Sequence, residues 1–403
     1  MWPKARWSGR VKRISCLLLL IAACGRGGGS PSTSSGAPSA SAGGPAASGA
    51  AGGALRAPKQ TPLPNERVEI PTGAFLAGSI PGEPGRNPEL EPRLTSIELG
   101  RFHVDRLPYP NDPAKPPMTG VSWDDARKLC AERGARLCTE LEWEKACKGP
   151  DSDPYPSGKA WNPRCAEEPA HCASGFDVVG MGAGFAEWTA SDLGERAGKR
   201  SAVARGAAPK ASSEAHRCAS RQPTPIDSKT AELGFRCCWG APNARVVPEA
   251  KASETFRKAK LPAERLISLL KGDKLTEALA KDVKFFREPD GAETVVSRGP
   301  GERKGFDFTV APLLWSPVAG AEFLLISARS GENTSFVLAY YVRGDDDYAL
   351  ASSFVMKDEP GPVAFAYSND IRPRLHFSSC WGCPGETGKI LFRAPERVVI
   401  LQP

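Results

Sequence analysis

Val121-Ser122-Trp123-Asp124-Asp125-Ala126, followed by Arg136-Leu137-Cys138-Thr139-Glu140-Leu141-Glu142-Trp143-Glu144-Lys145-Ala146-Cys147, is the most informative stretch of the chain. Ser122 stands where its hydroxyl can accept from a free amide in the next turn. Asp124 and Asp125 place carboxylates at the positive end of a helix dipole, so a helix is expected to start here and close at Gly134. Thr139-Glu140-Leu141-Glu142 is a second capping box, which predicts a helix through Cys147 that Gly149-Pro150 stops. First turns and caps account for the acids Asp124, Asp125, Glu140, Glu142 and Glu144 better than acid–base chemistry does.

On the N-terminal side, the run from Val68 to Leu76 alternates enough for a strand broken by Pro71 and Gly73, and residues 96–106 form a second strand-like stretch. On the C-terminal side, residues 241–260 are polar and read as a linker, and 261–270 and 275–286 carry apolar residues at helical spacing. From Phe306 the period changes to that of strands. Stretches 323–327, 335–342, 348–355, 363–367, 375–378, 390–392 and 398–401 are separated mostly by Gly, Asp or Pro turns, as in an antiparallel meander or small barrel.

A chain of 403 residues exceeds what one hydrophobic core usually supports, which predicts two folded domains plus unstructured segments. Its 41 Gly and 38 Pro fall unevenly and mark the linkers. The formal charge of +7 includes Lys4, Arg6, Arg10, Lys12 and Arg13, so the rest is only mildly basic. No basic stripe interleaves with aromatics, which argues against nucleic acid as a partner. Basic residues 1–13 precede a mostly apolar run, 14–23, too short to span a bilayer and laid out as a secretory signal. Residues 24–65 are Gly, Ser, Ala and Pro with almost no large apolar side chain, and are expected to form a disordered tether.

Ile21-Ala22-Ala23-Cys24 resembles the bacterial lipobox, which implies cleavage after residue 23, acylation of Cys24 and anchoring to membrane lipid. Gly25 after the cysteine leans, by the same resemblance, toward the outer membrane of a bacterial envelope. Of 12 cysteines, Cys16 leaves with the signal and Cys24 takes lipid; the remaining even number reads as disulfides in an exported protein. The middle of the chain lacks the paired knuckles of structural zinc. Cys380-Trp381-Gly382-Cys383 has no helix after it to lower a thiol pKa, so a turn-locking disulfide is expected there.

The two capped stretches resemble the V-S-W-x-D-A and R-L-P-T-E-x-E-W-E-x-A signatures of the formylglycine-generating enzyme (sulfatase-modifying factor) family. Tyr155-Pro156-Ser157-Gly158, Ala186-Glu187-Trp188-Thr189, Arg205-Gly206, Arg217-Cys218-Ala219-Ser220-Arg221 and Gly234-Phe235-Arg236-Cys237 follow in the family's order. The resemblance covers residues 66–240 and implies a C-type-lectin-like α+β fold there; the periodicity of 261–403 predicts a second, mostly antiparallel β domain with N-terminal helices. The resemblance also implies disulfides Cys130–Cys237 and Cys147–Cys218. Cys138, which replaces the family's proline, and the added Cys238 are then expected to pair with each other, and Cys165 with Cys172.

Aerobic members of the family hold copper(I) on two thiolates between the motifs that match Arg205-Gly206 and Arg217-Cys218. The corresponding segment 206–216 contains no cysteine, and Ala207 and Ala208 replace the family's Gly and Ser. His103, His171, His216 and His376 are scattered without H-x3-H spacing, which gives no support to a non-haem iron site. In the family's calcium turn, Met181, Glu187, Trp188 and Thr189 match but Gly180 and Gly184 replace Asp and Asn, leaving Glu187 as the acidic calcium candidate. The resemblance places Trp188, Arg205, Arg217 and Arg221 around the pocket. The expectation is therefore a lipid-anchored envelope protein with a degenerate, non-catalytic domain, no cofactor beyond a calcium candidate, and a protein or glycan ligand. The alternative is an enzyme of the same superfamily with altered chemistry.

Overall fold

Helix α1 (Trp123–Glu132) begins at Ser122, whose hydroxyl accepts from the Asp125 amide at 3.3 Å while Asp125 reaches back to the Ser122 amide. Helix α2 (Glu140–Lys148) repeats the device with Thr139 and Glu142, and Gly149, at φ 71°, ends it. Every residue of α2 is buried. Its Leu141, Trp143, Ala146 and Cys147 enter a core shared with Ile70, Phe75, Leu99 and Phe102, while its charged side chains are consumed by partners on its other sides.

The computed structural model describes residues 55–248, 254–286, 306–359, 361–368, 370, 374–378 and 388–402. The signal segment, Cys24, Cys380 and Cys383 lie outside the described residues. The described residues fall within one compact unit, Ala50–Pro403, built of two lobes. None of its described helices is long and apolar enough to cross a membrane.

The first lobe is α+β with short elements. One antiparallel sheet runs in the order Arg67–Ile70, Phe102–Asp105, Cys237–Trp239, Arg136–Leu137. A second runs Gln222–Pro225, Lys199–Arg205, Ala186–Arg196, Leu233–Phe235, its last pair parallel. The stretch 96–106 is divided at Gly100 into Thr95–Leu99, in a hairpin with Gly73–Ala77, and Phe102–Asp105. Four disulfides join Cys130 to Cys237, Cys138 to Cys238, Cys147 to Cys218 and Cys165 to Cys172, the same pairs named from the sequence. The first three tie both helices to the strands and turns of the lobe's second half.

The second lobe stacks two antiparallel sheets rather than closing a barrel. Strands Leu313–Ser316, Phe323–Ser330, Thr334–Val342 and Tyr348–Lys357 form one sheet with Thr255–Lys258 at its edge; Asp307–Thr309, Ala364–Tyr367, Leu375–Ser378, Gly388–Arg393 and Arg397–Leu401 form the other. Phe323, Leu325, Val337 and Ala339 meet Phe365, Phe377 and Ile390 in the shared core. The alternate residues Leu324, Ile326, Phe336 and Leu338 pack under the helix Ala263–Lys271. The inner strands are thus apolar on both faces, which is why they read as continuous hydrophobic runs.

Three boundaries differ from expectation. Residues 55–65 belong to the fold and not to a tether: Leu55 packs with Trp161 and the Cys165–Cys172 pair, and Arg56 bonds Asp153 at 3.2 Å. Residues 255–258, read as linker, pair with 313–316, because Phe256 alternates inward against the β core. The stretch 275–286 is not a helix. It holds a 3₁₀ turn, Glu277–Ala280, and a strand, Val283–Phe285, that pairs with 328–330; Asp282, at φ 54°, breaks helical geometry between them.

The lobes meet through the turn-rich loop 78–94. Arg86 lies between a 2.6 Å ion pair to Glu396 and the carbonyls of Gly320 and Glu91, with the Arg86 and Glu396 side chains at 0% and 3% exposure. Gly82, at φ +82°, donates to Glu396, and a Cβ there would stand 2.7 Å from the Tyr341 ring, so only glycine fits.

Candidate functional site

The segment that aligns with the family's catalytic loop leaves the strand Lys199–Arg205, turns through the 3₁₀ element Ser213–His216, and returns as Arg217-Cys218. Its flanking arginines do not face a pocket. Arg217 is fully buried, with Nη1 and Nη2 on Glu91 at 2.6 and 2.9 Å, Nη2 also on the Gly85 carbonyl and Nε on the Glu214 carbonyl. Burial alone would lower its pKa; the Glu91 carboxylate more than offsets this and holds it above its ordinary value. Arg221 grips Glu140 with two bonds of 2.7 Å and donates to the Leu90 carbonyl. Arg205 lies between Glu140, Glu144 and the Cys218 carbonyl. Trp188 is likewise buried and donates to the Val121 carbonyl at 3.0 Å.

Of the four residues expected around the pocket, Trp188, Arg205 and Arg217 are therefore interior and Arg221 is half-buried. Their chemistry explains the placement: a guanidinium withdrawn from water needs carboxylates and carbonyls in fork geometry, and each arginine has them. Glu140 lies in the first turn of α2 as expected and is in addition a partner of this network, whereas Glu144, beyond the first turn, is held by Arg205 and Lys148 and not by the helix end. Burial would raise Glu140, but Arg205 and Arg221 outweigh it and keep it below the usual carboxylate range.

Glu187, the calcium candidate, is also spoken for. Its two oxygens each accept from Arg236 at 2.6 Å, and Oε2 also accepts from the Trp143 indole at 2.8 Å. Gly180 and Gly184 bring no side-chain oxygen to the neighbouring turn. The donor set does not fit calcium, because the one carboxylate serves as counter-ion to a buried guanidinium. Among the described residues no cluster of three or more His, Cys, Asp or Glu side chains could hold a metal. The copper requirement meets a similar obstacle: Cys218, the cysteine that follows segment 206–216, is bonded to Cys147.

The histidines play separate parts. His103 lies 3.4 Å from Glu69 and His171 the same distance from Glu168, both on the surface. His376 is buried in the second lobe. His216 stacks on Trp161 with ring centres 4.0 Å apart, and its Nδ1 lies 2.7 Å from the Gly182 carbonyl. Burial pushes its pKa below the ordinary value, against the pull of the Gly182 and Ala211 carbonyls.

The concave surface of the first lobe is elsewhere, on the other side of this loop. A cleft of about 960 Å³ is lined by residues 57–62, by 107–117, by 166–171, by the turn Val179–Phe185 and by Pro209 of segment 206–216. Its lining is proline-rich and mainly apolar, with Asp112, Lys115 and Glu167 the charged side chains near it. The sequence hid this cleft because one wall comes from residues whose composition reads as tether. It also hid Glu91, which lies in a Pro- and Gly-rich loop with no periodicity to mark it.

Two capped helices, short strands stapled by disulfides and a buried arginine–carboxylate lattice define a disulfide-rich α+β domain. Residues 100–241 match the model of the sulfatase-modifying factor enzyme 1-like domain family. It is 34% identical over 156 residues to inactive C-alpha-formylglycine-generating enzyme 2 of Bos taurus, covering 31% of this chain and 50% of that protein. The Mus musculus protein of the same name is 32% identical over 153 residues, covering 31% and 49%. The chain thus spans about half the length of the curated relatives it matches. Among solved structures, PvdO from Pseudomonas aeruginosa is similar with a TM-score of 0.38 and 16% identity, covering 46% of this chain and 99% of that one. Treponema denticola variable protein 1 is similar with a TM-score of 0.34 and 12% identity, covering 43% and 94%.

Proposed function

We propose that this protein is a non-catalytic binding module, held at the bacterial envelope through an acylated Cys24, and that its first lobe binds its ligand in the cleft lined by Val179–Phe185. The observation that carries this reading is the fate of the sulfur chemistry. Segment 206–216 supplies no thiol, and Cys218 is committed to a disulfide with Cys147. A soft monovalent metal needs free thiolates, so the oxidative activity of formylglycine-generating enzymes has no seat here. The relatives titled as inactive formylglycine-generating enzymes support the same reading.

A cleft of this size with mainly apolar walls is the usual form of a binding site. The purified full chain is expected neither to retain copper(I) against a competing chelator nor to convert a Cys-x-Pro-x-Arg peptide to its formylglycine form. Mass spectrometry of the peptide, showing the aldehyde, would overturn the proposal.

A further inference from the structure

Two of the segments that wall the cleft are held by different kinds of force. Residues 166–171 are bracketed by the Cys165–Cys172 disulfide and by the short helix and 3₁₀ turn between those cysteines, so that wall is covalently fixed. The other segment, residues 57–62, has no buried residue and, among the described residues, no backbone–backbone hydrogen bond to the rest of the fold. Pro58 and Pro62 have no amide proton to offer.

What pins this wall is a pair of side chains. The Lys59 amide donates to Asp177 Oδ1 at 2.9 Å, and the Gln60 carbonyl accepts from Arg106 at 2.8 Å. Asp177 and Arg106 are joined to each other at 2.7 Å, and Arg106 is held besides by Glu66 at 2.8 Å. Firm anchors flank the segment. On one side the Arg56 carbonyl accepts from Ala173 and its guanidinium bonds Asp153; on the other the Asn65 amide donates to Asn111. Between fixed ends, a short polar-pinned segment lines the same cleft as Val179, Gly180 and Ala183, which are buried.

From this asymmetry we infer that residues 57–62 are a strap that opens by releasing Asp177, admits ligand to the cleft, and shuts on it. The inference rests on the binding reading of the cleft and adds its control. Opening breaks the Lys59 and Gln60 pins only, leaves the disulfide wall in place, and leaves Arg106 compensated by Glu66.

The test uses the full chain and an apolar fluorescent dye as probe. In Asp177→Ala, amide exchange of residues 179–185 and tryptic cleavage after Lys59 are expected to rise about tenfold, the loss of a hydrogen bond to a charged group. Exchange at 233–239, in the core sheets, should stay unchanged. Asp177→Asn keeps an acceptor for the Lys59 amide and should restore most of the protection. In the wild-type chain, which needs no variant to fold, saturating dye should slow cleavage after Lys59. If cleavage responds neither to dye nor to loss of Asp177, the strap is wrong even though dye binding would leave the cleft reading intact. If exchange and cleavage rise in the variant but neither form binds dye, the segment opens as inferred but the cleft reading falls, and with it the strap's role in admitting ligand.

Discussion

The two lobes solve the problem of a stable interior in opposite ways. In the first, strands other than the hairpin Ala186–Arg196 and Lys199–Arg205 have two to five residues, α2 is buried on all sides, and the interior holds Arg106, Arg205, Arg217, Arg236, Glu140, Glu144 and Glu187, each paired. In the second, strands of eight to ten residues interleave Phe323, Leu325, Phe365 and Phe377 without any disulfide among the described residues. Irregular chain buries less apolar surface per residue and leaves more polar backbone to satisfy, so arginines reaching carbonyls and disulfides closing long loops replace what regular strands provide.

Reduction should separate the lobes most strongly. The bonds Cys130–Cys237 and Cys138–Cys238 close loops of 107 and 100 residues. Each contributes about 4 to 5 kcal/mol by loop entropy, against a total stability of roughly 5–15 kcal/mol for a typical fold. With all four reduced, hydrogen exchange in α2 is expected to lose protection while strands Phe323–Ser330 and Thr334–Val342 keep theirs. Loss of protection in both at once would break the comparison and make the interface at Arg86 and Glu396 the true cooperative link.

A single substitution should show the same contrast at smaller scale. Arg236→Met leaves the Glu187 carboxylate buried with only the Trp143 indole, and should cost about 3–5 kcal/mol in chemical denaturation. Removing both partners, Arg236→Met with Glu187→Leu, is expected to recover most of that loss, since an ion pair replaced whole by apolar groups is often neutral. Leu325→Ala in the second lobe costs about 2–5 kcal/mol through its cavity and has no such partner rescue. A double variant as unstable as Arg236→Met alone would show that the lattice is cooperative beyond this pair.

This contrast also sets what could be read in advance. Caps at Ser122 and Thr139 and the continuous apolar run of 335–342 are local, and local chemistry places them in the structure as it does in the sequence. The family signature brings the pairs Cys130–Cys237 and Cys147–Cys218 with it, and the cysteines left over suggest the other two. Arg205, Arg217 and Arg221 were assigned to a pocket because an arginine in a motif says nothing by itself about which carboxylate it will meet. Glu91 lies 126 residues from Arg217, and no period or spacing links them. The same holds for residues 57–62, whose place against the cleft depends on Asp177, remote in sequence.

The smallest expected effect lies where the lobes touch, and pH sharpens it. Burial raises the Glu396 carboxyl above its ordinary value of 4.5, and the Arg86 charge and Gly82 amide only partly offset it. Its folded form therefore binds a proton more readily than its unfolded form, and stability grows as pH falls through the raised value toward 4.5. Glu140 and Glu142 behave oppositely. Burial would raise both, but Arg205 and Arg221 on the one and Arg136 on the other hold them below 4.5, so their contribution persists above 4.5 and is lost as pH falls further. Burial also keeps His216 neutral in the fold, which removes stability as pH falls through 6.5; against that loss Glu396 should add a slight rise in melting temperature on acidification from neutrality, and the carboxylates of the first lobe should bring a fall below pH 4.5. Glu396→Gln, which cannot titrate, should remove the rise and spare the fall. If Glu396→Gln leaves the rise in place, the interface carboxyl is not its source, and the stability of the contact must come from the close approach of Gly82 to Tyr341 and from the Gly320 carbonyl on Arg86.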